Sequence, residues 1–218
     1  MPEPQSDRKQ RASIILKKLK KLFPEAHCAL KYGNTWELLV AVILSAQCTD
    51  KKVNEVTPKL FQKYPTLDAY VTADPKKFEQ DIYQTGFFRA KTKNILGAAT
   101  MLKETFHGIV PKTMDEILLL PGVARKTANV VLGNAYGVVE GIAVDTHVRR
   151  LALKLGLTDH ENTDKIERDL MALYPQKEWF GLTYRLIEYG RQICPSRRHL
   201  CAEHPLSVLY PPAANRWP

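Results

Sequence analysis

Two segments have residue types and spacing that could carry chemistry: a proline–glycine turn running into a basic helix start, and an aspartate at another helix start. The first lies in Leu120-Pro121-Gly122-Val123-Ala124-Arg125-Lys126-Thr127-Ala128, which reads as a short helix, a tight turn and a second helix. Such a turn exposes backbone N–H groups beside the positive end of the second helix, a setting that holds a phosphate without reading sequence. The same pattern also suits an ordinary helix–helix connection. The second is Asp145 in Val144-Asp145-Thr146-His147-Val148-Arg149-Arg150. An aspartate there is a ready N-cap. It also follows the apolar run Gly141-Ile142-Ala143-Val144, so partial burial is expected, and a buried carboxylate needs a reason. His147 has no metal-binding partner at helical spacing and reads as structural. Arg149 and Arg150 suit either phosphate contact or a solvated face.

The elements that must position these groups are helical nearly throughout. Ile14, Ile15, Leu19 and Leu22 mark an amphipathic first helix with a basic outer face, ended by Pro24. Trp36–Gln47 is apolar enough to be a buried helix, with Asn34 or Thr35 as its cap. Further helices are expected over Asp50–Tyr64, Thr66–Ala73, Asp74–Ile82, Ala90–Phe106, Met114–Leu120, Arg125–Tyr136, Asp145–Leu155, Asn162–Tyr174 and Glu178–Cys194. Thr113 with Glu116 supplies a capping box, and Gly156 a stop. Val138–Val144 is the one β-like run, and a loop is expected there.

Composition narrows the class. The 218 residues are 44% hydrophobic and 25% charged, ordinary for a globular protein with a real core. No run nears the ~20 apolar residues of a membrane helix, and the polar, basic start lacks a secretory signal, so an intracellular chain is expected. Lys+Arg exceed Asp+Glu by 32 to 23, a net charge of +9 that favours a polyanionic partner. The four cysteines, Cys28, Cys48, Cys194 and Cys201, do not read as a disulfide framework in such a chain.

Three segments together resemble the endonuclease III family of DNA glycosylases. Leu120–Ala128 looks like that family's helix-hairpin-helix, Val144–Arg150 like its Gly/Pro-to-Asp loop, and Leu44-Ser45-Ala46-Gln47-Cys48-Thr49-Asp50 like the signature on its second helix. The resemblance runs in order from about Trp36 to Cys201. It implies an all-α, two-lobed fold: a central bundle over 28–138, a second lobe from 1–27 and 139–218, and DNA across the cleft between them. It also implies base-excision repair of damaged double-stranded DNA by a monomeric, nucleoid-associated cytoplasmic enzyme, a glycosylase with lyase activity on oxidised pyrimidines such as thymine glycol. Lys126 matches the nucleophile and Asp145 the catalytic aspartate; attack by Lys126 as a neutral amine, forming an imine, implies burial beside Arg125. Gly122, Val123, Ala124, Arg125 and Thr127 match the phosphate-binding hairpin, with Arg149 as a further DNA contact. Gln47 matches the residue that fills the gap left by an extruded base, and Phe87 the wedge that replaces lost stacking. A monofunctional mismatch or alkylated-base glycosylase and a non-catalytic DNA-binding module are the alternatives. Lys126 speaks against the first, and a buried Asp145 with Gln47 against the second.

The chain departs from the family at three places, one of them a loop between Lys126 and Asp145 that is one residue longer than the bacterial pattern and is expected to leave both groups in the cleft. Ala124 stands where the hairpin usually has a second glycine, at a cost of roughly 1 kcal/mol if positive φ is needed there. The family's C-terminal loop holds a four-iron, four-sulfur cluster on cysteines spaced C-x6-C-x2-C-x5-C. Here Cys194 and Cys201 keep the first spacing, but His204 and Tyr210 occupy the last two positions. The expectation is therefore a loop without cofactor or metal, held by packing of Leu200, Leu206, Val208, Leu209 and Tyr210, with Arg197 and Arg198 near phosphate. A zinc site from Cys194, His199, Cys201 and His204 is possible by ligand type only.

Overall fold

The structure is a computed structural model that describes residues 4–216. Among these residues there is no β-strand. The chain divides into two compact units, Ala29–Val138 and the pair of segments Met1–Cys28 with Val139–Pro218.

The Ala29–Val138 unit is built around α2 (Thr35–Leu44), in which every residue from Leu38 to Leu44 is buried. Asn34 caps it by accepting from the Glu37 amide. Around it lie α3 (Asp50–Lys63), α4 (Leu67–Val71), α5 (Pro75–Ile82), α6 (Phe88–Thr105), α7 (Met114–Ile117) and α8 (Arg125–Tyr136), with α2 packed on α3, α6 and α8. Burial of this kind stabilises by about 1.5–3 kcal/mol per large aliphatic side chain. The helices expected over Thr66–Ala73 and Asp74–Ile82 form as α4 and α5, capped by the Thr66 and Asp74 side chains.

The other unit packs α1 (Gln5–Leu22) and α9 (Thr146–Lys154) on α10 (Thr163–Leu173) and α11 (Gln176–Gln192). Its core holds Ile15 and Leu19, Val148 and Leu151, Ile166 and Leu170, and Leu182 and Leu186, one pair from each helix. Helix α1 begins well before the apolar stripe that announces it. Its polar first turns are tied down by Arg8 to the Asp159 carboxylate at 2.6 Å and Arg11 to the Gly156 carbonyl at 2.6 Å. Gly190 lets α11 approach α9 closely, since a Cβ there would lie 2.5 Å from His147 Nδ1. The β-like run before Asp145 is a loop, as expected, buried from Gly141 to Val144. Its backbone groups pair with side chains: the Ile142 amide donates to Glu167 Oε1 at 3.1 Å, and the Val139 carbonyl accepts from Gln176 at 2.8 Å.

Candidate functional site

The Lys126 hairpin is shaped by Gly122. Its φ is +78°, and a Cβ would stand 2.7 Å from the Asn94 side chain, so only glycine fits both the backbone and the space. Ala124 is the N-cap of α8 with φ −96° and ψ 170°, ordinary extended backbone. The expected strain at Ala124 is thus absent, because the positive φ of this turn falls on Gly122 alone. Alanine has no side-chain acceptor, so nothing from residue 124 caps the first amides of α8. Val123 is buried and anchors the turn, Arg125 and Thr127 are half-buried, and Lys126 is exposed. The expected burial of Lys126 is corrected: at the outer edge of the first turn its amine meets solvent, while Ala128 and Asn129 take the inward positions.

Asp145 is half-buried at the N-cap of α9, where Oδ1 accepts from the Val148 amide at 2.8 Å. One carboxylate oxygen therefore serves the helix. Arg149 pairs with Glu161 through its side chain at 3.0 Å and through the Glu161 carbonyl at 3.0 Å. Arg150 turns inward and donates to the Cys194 carbonyl at 2.6 Å. Lys126 belongs to the Ala29–Val138 unit and Asp145 to the other.

Gln47 and Phe87 share an uncommon feature. Both are non-glycine residues in the left-handed region, with φ 51° and 49°, and both are exposed. Helix α2 stops at Leu44, three residues short of the expected end, so Gln47 sits on a turn, while Phe87 is the N-cap of α6. One residue that sequence reasoning missed links the two turns. Lys91 is buried, and its ammonium donates to the Leu44 carbonyl at 2.8 Å and the Thr85 carbonyl at 2.7 Å. Burial pushes its pKa below the ordinary lysine value. The signal was available: Lys91 falls in register with the buried Ile95, Ala98, Ala99 and Leu102 on one face of α6.

Residues 40–176 match the HhH-GPD superfamily of base excision DNA repair proteins. The chain is 52% identical to endonuclease III of Synechocystis sp. over 95% of both chains, and 45% identical to endonuclease III of Bacillus subtilis over 90% of both. This chain belongs to the endonuclease III family. A solved non-covalent endonuclease III–DNA complex superposes with a TM-score of 0.90 at 43% identity, covering 95% of this chain and 97% of that one. A thermostable thymine-DNA glycosylase shares the fold, with a TM-score of 0.80 at 19% identity. The protein is accordingly an enzyme, a base-excision repair glycosylase of all-α helix-hairpin-helix architecture.

The endonuclease III fold ends in the loop after α11, and here the expectation of no cofactor is overturned. Cys194 and Cys201 are both buried, and Cys194, His199 and His204 bring their donor atoms within 4.8 Å of one another. The His199 and His204 rings stack at 5.0 Å between centroids. Burial, then neighbouring His199 and Lys154, pushes His204 below the ordinary histidine pKa, which keeps the ring neutral with a lone pair to offer. By type, the gathered thiol and two imidazoles are metal ligands, and imidazoles replace two thiolates in one class of two-iron, two-sulfur centre; the second buried thiol, Cys201, faces the Ala214 carbonyl at 3.6 Å and is not one of the three. Tyr210 takes no part. Its ring lies under Arg11 at 4.3 Å and near Arg216 at 5.5 Å. His199 lies between two positions of the four-cysteine spacing and was grouped with Cys194, Cys201 and His204 by ligand type alone; the fold of the loop brings it to Cys194 and His204. The expected apolar packing of the loop is also corrected. Leu200 is 98% exposed and Val208 62%, Leu209 is exposed as well, and Leu206 alone of the five is fully buried. No helix among the described residues is long and apolar enough to cross a membrane.

Proposed function

We propose that the protein removes oxidised pyrimidines such as thymine glycol from double-stranded DNA and then cleaves the strand at the abasic site. The observation that carries this reading is an exposed lysine on the first turn of α8, directly behind a turn that only Gly122 can make. A relative at 43% identity and TM-score 0.90 is described as a trapped endonuclease III–DNA covalent intermediate, which supports a covalent route.

In this reading the uncapped amides of α8 hold a phosphate and so bring Lys126 to the deoxyribose. Phe87 enters the stack and Gln47 occupies the gap as the damaged base leaves it. The Lys126 amine attacks C1′, the bond from C1′ to the base breaks, and the base departs with the bonding pair and takes up a proton. Asp145 stabilises the positive charge that develops on the sugar; its Oδ2 is not the oxygen that caps α9. Ring opening gives an imine between Lys126 Nζ and C1′, which acidifies the C2′ proton. Loss of that proton expels the 3′ phosphate by β-elimination, and water releases the lysine. Since Lys126 is exposed in the chain, bound DNA must supply the cover that removes water from the amine. Arg149 reaches a phosphate only by leaving Glu161, an exposed pair of small energetic weight.

Borohydride trapping on duplexes with an abasic site tests the reading. The wild type is expected to give a covalent DNA–protein adduct, and Lys126→Gln to bind the duplex without forming it. Undiminished trapping by that variant would remove Lys126 as nucleophile. Excision of thymine glycol without any trapping would leave a monofunctional glycosylase.

A further inference from the structure

The loop from Cys194 to Tyr210 enters the core of its unit through Cys194 and Leu206, with Tyr210 packed against that core. Of its larger apolar side chains only Leu206 is fully buried, and Leu200 stands almost entirely in solvent. The loop also gathers a cluster of soft and borderline donors. Cys194 Sγ and one ring nitrogen each of His199 and His204 lie within 4.8 Å of one another.

We propose that His199 and His204, with Cys194, are ligands of the metal centre in this loop, so that imidazoles stand in for the thiolates that the four-cysteine spacing lacks. His199 is outside that spacing altogether, and its assignment rests on three observations. Its Nδ1 lies 2.7 Å from the Arg197 carbonyl. A carbonyl only accepts, so Nδ1 carries the proton and Nε2 the lone pair in the neutral ring. A backbone carbonyl that holds the second nitrogen in this way is the usual support of a metal-bound histidine. His204 presents a buried Nδ1 with no hydrogen-bond partner among the described residues. A buried unsatisfied nitrogen is costly, and coordination would relieve it. Cys194, finally, is oriented from behind by Arg150, which donates to its carbonyl at 2.6 Å and to its sulfur at 3.7 Å.

Donors around a tetrahedral ion stand about 3.5 Å apart, from metal–sulfur and metal–nitrogen bonds of about 2.3 and 2.0 Å. The three donor atoms of this loop stand no more than 4.8 Å apart. Thiolate with imidazole is a donor set shared by zinc and by iron–sulfur centres, and it disfavours hard cations such as magnesium and calcium.

The test is metal analysis of the full-length protein, purified once in air and once without oxygen, by mass spectrometry with an assay for acid-labile sulfide. Stoichiometric zinc without sulfide identifies a single ion, and stoichiometric iron with sulfide identifies a cluster. The proposal stands with either metal if His199→Gln and His204→Gln each lose most of it while Tyr210→Phe keeps it. Circular dichroism confirms that the variants are folded. Should a variant fail to fold, cobalt(II) added to chelator-treated wild type gives an independent reading, with visible absorption from thiolate and imidazole ligation expected. Metal content unchanged in the folded histidine variants would overturn the proposal. So would a wild type that carries no stoichiometric metal and shows no cobalt spectrum.

Discussion

Replacing Lys91 with methionine would separate the support of the two exposed turns from the chemistry. The perturbation removes one ammonium and leaves a side chain of similar length in the same buried slot. Two carbonyls, of Leu44 and Thr85, lose charge-assisted donors at 2.8 and 2.7 Å. Each unsatisfied buried carbonyl costs about 1–3 kcal/mol. Part of that is offset, because the ammonium no longer has to be desolvated, the same burial that lowers its pKa. A net loss of about 2–3 kcal/mol is expected, equivalent to a fall in Tm of about 4–12 °C for a chain of this length. The functional effect follows from where the carbonyls lie. Leu44 is three residues before Gln47 and Thr85 two before Phe87, and both of those residues hold left-handed backbone that the surroundings must enforce. With the tie gone both turns relax, so base extrusion should fail before DNA binding does. A duplex with 2-aminopurine opposite or beside the lesion reports extrusion directly. Excision at saturating duplex should fall about tenfold or more, with Kd for an undamaged duplex changed less than about twofold. Lys91→Arg, which keeps charge and donors, should recover part of the extrusion signal. A Lys91→Met protein with unchanged Tm and an unchanged 2-aminopurine signal would refute this account.

Three further outcomes are expected. Asp145→Asn keeps the cap on Val148, because Asn caps as well as Asp, so Tm should stay within about 2 °C while base release slows by about 10²-fold or more; near-normal turnover of a glycol-containing duplex would reduce Asp145 to a cap. Gly122→Ala places a Cβ 2.7 Å from Asn94 at φ +78°, costing about 1–3 kcal/mol and displacing the hairpin, so affinity for an abasic duplex should drop at least tenfold; equal affinity measured by fluorescence anisotropy would contradict the phosphate-binding role. With about five phosphates neutralised, raising salt from about 50 to 200 mM should weaken binding about 10²–10³-fold, and a flat salt titration would remove electrostatics as the source of affinity.

Local sequence was sufficient wherever a helix is specified by its own residues. Pro at the end of α1, Asn34, Thr66, Asp74 and Thr113 as caps, and Gly137 and Gly156 past the ends of α8 and α9 are punctuation that acts over four residues. The apolar run of α2 announces its burial for the same reason, and the Gly122 turn before Lys126 can be read from the Pro-Gly pair alone. Three features could not be read this way. The exposure of Lys126 depends on which side of α8 packs against α2, and that is set by the helices around it. The polar first turns of α1 are helical because Arg8 and Arg11 reach Asp159 and Gly156, some 150 positions away. The C-terminal loop was misjudged because ligand spacing was counted along the chain. His199 meets His204 and Cys194 through the folding of the loop against α9 and α11, where Arg150 holds the Cys194 backbone. Sequence determines interactions that close within a turn or two; a donor set gathered through space, like the carbonyls that share Lys91, exists only once long-range packing has brought its members within a few ångströms.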